Sequence, residues 1–357
     1  MYGFSIFMND EMTLEKEEYI KDMKKTGAVG IFTSMHIPED NACQYKSRLI
    51  DLGKVALEQG LQLVVDISGD ALEKAGFSFE DLKAITNIGV TGLRMDYNIS
   101  NETIAKASRE MIIGLNASTI TEQDVEELKK TKANFAHLEA WHNYYPRPET
   151  GLSRKTFLQK NLWLKKHDFK IVAFVPGDDN LRGPLFQTLP TLEEHRYESP
   201  LACALDIQKL GVDDFYIGDG GLCTKSKKQF SYFSNEKEIL LEVEDFGSAF
   251  YSHCLGDHVN RLDEARDVIR SSSARFNEIP EVTPEPPINR DRGSVTIDNR
   301  LYGRYMGEIQ ITKVDLLADD KINVVGRVIE QDRSLLSFIQ AGTKFKLEKE
   351  KYRNEFR

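Results

Sequence analysis

Asn134-Phe-Ala-His-Leu-Glu-Ala-Trp-His-Asn-Tyr-Tyr-Pro-Arg-Pro-Glu-Thr-Gly151 is the stretch whose reading decides the fold. Its first half, 135–141, reads as a β-strand. Alternation puts His137, Glu139 and Trp141 on one face and Ala136, Leu138 and Ala140 on the other. Its second half is a loop holding Tyr144, Tyr145, Arg147, Glu149 and a pair of prolines. A strand that delivers a histidine and a carboxylate into an aromatic loop is costly to build without a use. The bland alternative is a surface turn punctuated by proline.

The same strand–loop–helix pattern recurs on both sides of this stretch. Strand patterns lie upstream at 2–9, 29–36, 61–68, 90–97 and 111–118, and downstream at 170–176 and 214–219. Helical patterns lie between them: Thr13 caps one that runs to Lys25, and others cover 44–59, 79–85, 102–108, 121–130, 155–167 and most of 191–210. Eight strands in βα order over about 230 residues is the count and length of a (β/α)8 TIM barrel, an α/β fold. A doubly wound sheet is the alternative, but no Gly-x-Gly-x-x-Gly follows the first strand. From about Ile239 helical periodicity thins, and Pro280, Pro284, Pro286 and Pro287 crowd a linker-like stretch. Short strand patterns follow at 294–297, 307–314, 322–329 and 344–347. The expected division is a catalytic barrel over 1–238 and a small β-rich domain over 239–357.

Composition narrows the function. The chain has 357 residues and a net charge of −10. A field of that sign repels nucleic acid and anionic membranes, so an anionic ligand must be met by local arginines and lysines. No apolar run approaches the roughly 18 residues that span a bilayer. The first nine residues lack a basic segment and read as a strand rather than a signal peptide. Cys43, Cys203, Cys223 and Cys254 are scattered, which suits reduced thiols in the cytoplasm better than disulfides or a zinc site. No helical His-x-x-x-His is present, and no metal or cofactor is expected.

Period two applied to every barrel strand gives a convergent set of polar residues, each expected at the C-terminal end of its strand: Asn9, His36, Asp66, Arg94, Asp96, Asn116, His137, Glu139 and Asp219. In a barrel of this type the active site lies at that end. Each has a structural alternative. Asp66 or Asp96 pairs with Arg94 as a plain ion pair, the histidines are satisfied barrel residues, and Asp219, within Gly-Asp-Gly-Gly, is a turn residue. The glycines beside Asp219 also suit backbone capture of a phosphate.

No lysine stands at a strand C-terminal end, against a Schiff-base aldolase, and no Gly-x-Ser-x-Gly elbow is present. The remaining equipment is carboxylate-rich. Paired carboxyl groups with aromatic faces, here Trp141, Tyr144 and Tyr145, suit glycoside hydrolysis, although an isomerase or lyase has similar needs.

Several motifs then carry a resemblance. Val29-Gly-Ile-Phe-Thr-Ser-Met-His-Ile-Pro-Glu39, Gly92-Leu-Arg-Met-Asp96, Asn143-Tyr-Tyr-Pro-Arg-Pro-Glu-Thr-Gly151, Gly218-Asp-Gly220 and Asn299-Arg-Leu-Tyr-Gly-Arg304 resemble a bacterial family that joins a TIM barrel to a cyclophilin-like β-barrel. That family contains the 6-phospho-N-acetylmuramidase of cell-wall sugar recycling. The resemblance implies cytosolic cleavage of a phosphorylated amino-sugar disaccharide, 6-phospho-N-acetylmuramyl-N-acetylglucosamine. It supplies no catalytic pair. Glu139 and Asp219 are the favoured acid and nucleophile or base, with Asp66 and Asp96 next, unless the sugar's acetamido group assists. Arg94, Arg147, Arg300 and Arg304 are expected to meet the phosphate and lactyl carboxylate. The segment around Arg304 is expected either to close over the barrel or only to pack against it. A lyase acting on the lactyl ether and a non-catalytic phospho-sugar binder are the other readings.

Overall fold

In the computed structural model, residues 1–35, 42–68, 71–272, 274 and 280–351 are described. Short parallel strands β1 (Tyr2–Ser5), β2 (Gly30–Ser34), β3 (Gln62–Ile67), β4 (Gly92–Met95), β5 (Ile112–Asn116), β6 (Leu138–Trp141), β7 (Lys170–Val175) and β8 (Asp214–Ile217) pair in sequence order. The ring closes through Gly3 opposite Tyr216, so the first unit is a TIM barrel. Among the described residues no helix is long and apolar enough to cross a membrane.

The register places the inward side chains at successive levels, each drawn from alternate strands. Gln62, Ile112 and Lys170 stand lowest, Gly30, Gly92, Glu139 and Asp214 share the next level, and Gly3, Val64, Gly114 and Val172 lie above them. Phe32, Arg94, Trp141 and Tyr216 come next, then Ser5, Asp66, Asn116 and Phe174. The glycines give room to the aromatic rings. A Cβ on Gly3 would stand 2.2 Å from the Tyr216 ring, and one on Gly114 would stand 2.7 Å from the Trp141 ring. Phe32 stacks on Trp141 at 5.6 Å between centroids, Trp141 meets Tyr216 at 4.8 Å, and Phe174 meets Phe32 at 5.0 Å. These rings fill the barrel beneath and beside the polar groups at its C-terminal end.

The helices follow local chemistry. Thr13 caps the helix Leu14–Lys25, and Thr121 with Asp124 forms a reciprocal capping box on the helix Glu122–Lys130. Several expectations change. The strand expected over 135–141 begins only at Leu138, because the Asn134 side chain accepts from the Ala136 amide and winds Phe135–His137 into a single 3-10 turn. The helical pattern at 79–85 is helical only from Leu82 and runs to Thr86, and a short helix that was not expected, Ala71–Lys74, precedes it. The pattern over 191–210 splits into a turn, Glu193–His195, and a helix, Pro200–Lys209, which Pro200 opens at its first turn.

The chain divides into compact units Met1–Lys227 and Lys228–Arg357, a division within the helix Thr224–Glu236. The second unit holds a seven-stranded, mostly antiparallel sheet. Asn260 bridges to Ser271 between its two edge strands, so the sheet is nearly a closed barrel. Strands Glu238–Asp245, Gly256–Val259 and Val268–Arg270 belong to it and were not expected. The first is buried along most of its length on both faces, which removes the alternation that would have announced it.

Gly114→Ala drives a methyl group into the Trp141 ring. It should cost about 1–3 kcal/mol of stability, read as a lower denaturant midpoint with secondary structure retained by circular dichroism.

Candidate active site

The site is built on a buried guanidinium at the C-terminal mouth of the barrel. Arg94, on β4, donates from Nη1 to Asp66 Oδ1 at 2.5 Å and from Nη2 to Asp96 Oδ1 at 3.5 Å. Nη2 also donates to Asn143 Oδ1. Ser34 Oγ donates to the other Asp66 oxygen at 3.1 Å, and Asn116 Nδ2 donates to Asp96 at 2.6 Å. Burial alone would lower the Arg94 pKa, but Asp66 and Asp96 outweigh it and hold the charge in place. Asp66 and Asp96 differ in access. The Asp66 side chain is 10% exposed and engaged through both oxygens, whereas that of Asp96 is 25% exposed. Asp66, Arg94, Asp96 and Asn116 are thus brought together from neighbouring strands. Asn143 joins them without having been singled out. Its signals were its place just past the end of β6 and at the head of the Asn143–Gly151 motif.

Loops after β6 and β7 wall this floor. Tyr144 stands edge-on to Phe174 at 5.1 Å, and its hydroxyl accepts from Arg182 Nη1 at 2.7 Å. The Arg182 guanidinium lies 4.1 Å from the centroid of the Phe7 ring. Thr191 Oγ1 donates to the Asn143 carbonyl at 2.9 Å. Arg196 donates to the carbonyls of Tyr145 at 2.9 Å, Gln187 at 2.7 Å and Thr188 at 3.0 Å. Glu193 accepts from the amides of Glu149 at 2.8 Å and Gly151 at 2.7 Å. The hydrogen bond from Arg196, helped by these amides, holds the Glu193 carboxyl down at about 2. Arg182, Glu193 and Arg196 escaped the sequence reading, since loop residues carry no periodicity.

Other expected site residues lie elsewhere. Glu139 is at the N-terminal end of the barrel, not the C-terminal end. Its oxygens accept from Lys170 Nζ and Trp141 Nε1, each at 2.8 Å. Lys170 also meets Asp214 at 2.6 Å, which makes an ionic ladder beneath the aromatic plug. Trp141 is buried within that plug and offers no face to a sugar. His137 precedes its strand, with Nδ1 2.8 Å from the Ser108 carbonyl. Asp219 is fully buried, its carboxylate accepting from the amides of Gly177 and Leu189 at 2.9 Å each and of Arg182 at 3.4 Å. Burial raises its pKa. Asp219 therefore organises the loop after β7. Asn9 is exposed in a turn, because β1 ends at Ser5. Tyr145 is half-buried, with its amide donating to the Pro190 carbonyl at 2.9 Å, and Arg147 and Glu149 are exposed on their loop. His36 lies outside the described residues. Arg300 and Arg304 belong to the second unit, where Arg300 pairs with Glu281 at 2.7 Å and Arg304 lies 4.9 Å from the Tyr305 ring centroid. Glu194, His195 and Asp206 cluster within 4.8 Å, but Arg154 already spans this group, at 2.6 Å from Glu194 and 2.5 Å from Asp206.

With this geometry in place, comparison with known proteins decides the family. The profile of the 6-phospho-N-acetylmuramidase N-terminal region matches residues 2–232, and that of its C-terminal region matches residues 238–348. The chain belongs to the 6-phospho-N-acetylmuramidase family. A conserved protein of unknown function from Enterococcus faecalis is similar to this family member at 49% identity and TM-score 0.92, over 98% of this chain and 96% of that one. An uncharacterised protein from B. cereus is 24% identical at TM-score 0.74, covering 98% and 99%, and shares the fold. No curated protein matches the chain.

The Glu193 clamp gives a pH signature in this family member. Its carboxyl is depressed from 4.5 to about 2 in the folded state, so its contribution is complete above about 4.5 and fades as the pH falls through about 2. Glu193→Gln should lower the thermal midpoint at pH 7. The gap from the parent protein should narrow steadily between about pH 4.5 and pH 2. A gap independent of pH would mean that the charge plays no part.

Proposed function

We propose that the chain hydrolyses 6-phospho-N-acetylmuramyl-N-acetylglucosamine to N-acetylmuramic acid 6-phosphate and N-acetylglucosamine, in the cytoplasm, as a step of cell-wall sugar recycling. The family match along both units carries this reading. The carboxylates gathered at the barrel mouth support it, because an oxocarbenium-like transition state gains from fixed negative charge.

Among the carboxylates expected from sequence, Asp66 and Asp96 are the ones that meet at the mouth, and we assign Asp96 to the reacting atoms. It keeps solvent access, while Asn116 and Arg94 orient it through one oxygen. Asp96 handles the proton of the leaving oxygen. Asp66 acts from behind Arg94 as a positioning group. The sugar's 2-acetamido group then stands as an internal nucleophile at the anomeric carbon, a recognised exception to the two-carboxylate scheme. Water enters in the second step, so the glycosidic bond is replaced by one hydroxyl on each product.

Purified protein should cleave the phosphorylated disaccharide and discriminate against the unphosphorylated one. Release of lactate, seen by mass spectrometry, would instead identify ether elimination. Calorimetric binding without any product would identify a binding protein. Asp96→Asn should lower kcat by about 10²–10⁴ at a temperature where the variant is still fully folded, a loss that its lower thermal midpoint does not account for. Glu139→Gln should instead keep most of the activity while lowering the midpoint, because it breaks the ladder with Lys170.

A further inference from the structure

We infer that Arg182 reads the phosphate of the substrate, and that Asp219 positions it. This rests on the phospho-sugar reading above. A substrate with a dianionic group needs a cation at the mouth that is not already neutralised. Arg94 does not qualify, since Asp66, Asp96 and Asn143 occupy its fork. Arg196 is consumed by Glu193 and by loop carbonyls. Lys170 lies at the opposite end, against Glu139 and Asp214.

Arg182 is different. Among the described residues it has no carboxylate partner. One of its nitrogens donates to the Tyr144 hydroxyl at 2.7 Å, and its guanidinium rests on aromatic rings, 4.1 Å from the Phe7 centroid and 6.0 Å from that of Tyr144. Aromatic support orients a guanidinium without cancelling its charge, which leaves the outer edge of the fork for an incoming anion. Tyr144 directly follows Asn143, whose side chain accepts from Arg94, so one short stretch of the loop after β6 contacts both arginines. Arg182 is thereby tied to the network that orients Asp96.

Its backbone is held as firmly. Asp219 accepts from the Arg182 amide itself and from Gly177 and Leu189 near either end of the same loop. A buried carboxylate spent entirely on amides around one unpaired arginine is a costly arrangement unless the position of that arginine matters. The loop follows β7, a place where barrels of this kind commonly hold phosphate.

The test is binding, which does not depend on turnover. N-acetylmuramic acid 6-phosphate and N-acetylmuramic acid are titrated into the whole protein by calorimetry, with the parent, Arg182→Met and Arg182→Lys compared at matched thermal midpoints. Both ligands carry the lactyl carboxylate, so their difference reports the phosphate alone. The parent should bind the phosphorylated sugar at least tenfold more tightly. Arg182→Met should remove that preference while leaving the affinity for the unphosphorylated sugar within twofold, and Arg182→Lys should restore part of it. Asp219→Asn should weaken the preference less than Arg182→Met does. The inference is overturned if the parent shows no preference, if Arg182→Met or Arg182→Lys keeps the full preference, or if the variants lose affinity for both sugars equally, which would assign Arg182 to the lactyl carboxylate or to holding Tyr144. A parent protein that binds with the expected preference but cleaves no disaccharide would defeat the proposed hydrolysis and leave this inference standing.

Discussion

Arg94 is the constraint on which the barrel mouth depends. A guanidinium brought into a protein interior loses several kcal/mol of hydration, and this is recovered only when opposite charge and hydrogen-bond acceptors surround it. Asp66, Asp96 and Asn143 meet that need from β3, from the end of β4 and from the loop after β6. The aromatic plug beneath supplies the low-dielectric floor that makes their presence obligatory. One arrangement thus serves folding and chemistry together. The arginine makes the carboxylates necessary, and the barrel geometry leaves one of them facing solvent. The Asp66–Arg94 pair is consequently weak evidence for stability gained and strong evidence for geometry held.

The barrel was legible because its strands and helices announce themselves locally. Thr13 and Thr121 mark helix starts, and the strand patterns fall at barrel spacing. The inward face was legible too, since alternation assigned Asp66, Arg94, Glu139 and Trp141 to it, and all face inward. Height along the barrel axis was not legible. It depends on where each strand starts and on the stagger between strands, neither of which alternation records. Asn134 delays the start of β6, and the register then sets Glu139 level with Asp214 rather than with Asp66. Asp219 illustrates a different gap. A residue type common in catalysis is here exhausted by three backbone amides, and only the three-dimensional path of the loop reveals them. Arg182 and Arg196 were missed for the complementary reason: their partners are a phenol, rings and carbonyls of distant loops, which no spacing encodes.

The clamp made by Glu193 and Arg196 has a thermodynamic consequence. Together with Asp219 and Thr191, it joins the loop after β6 to the loop after β7 through backbone atoms, so neither can rearrange alone. Ordering a free loop costs on the order of 1–2 kcal/mol per residue in backbone entropy. Here that loss is taken during folding, and a ligand arriving at the mouth meets walls already in their final conformation. Selectivity along these two loops then comes from the fit of a ligand to a wall that is already in place.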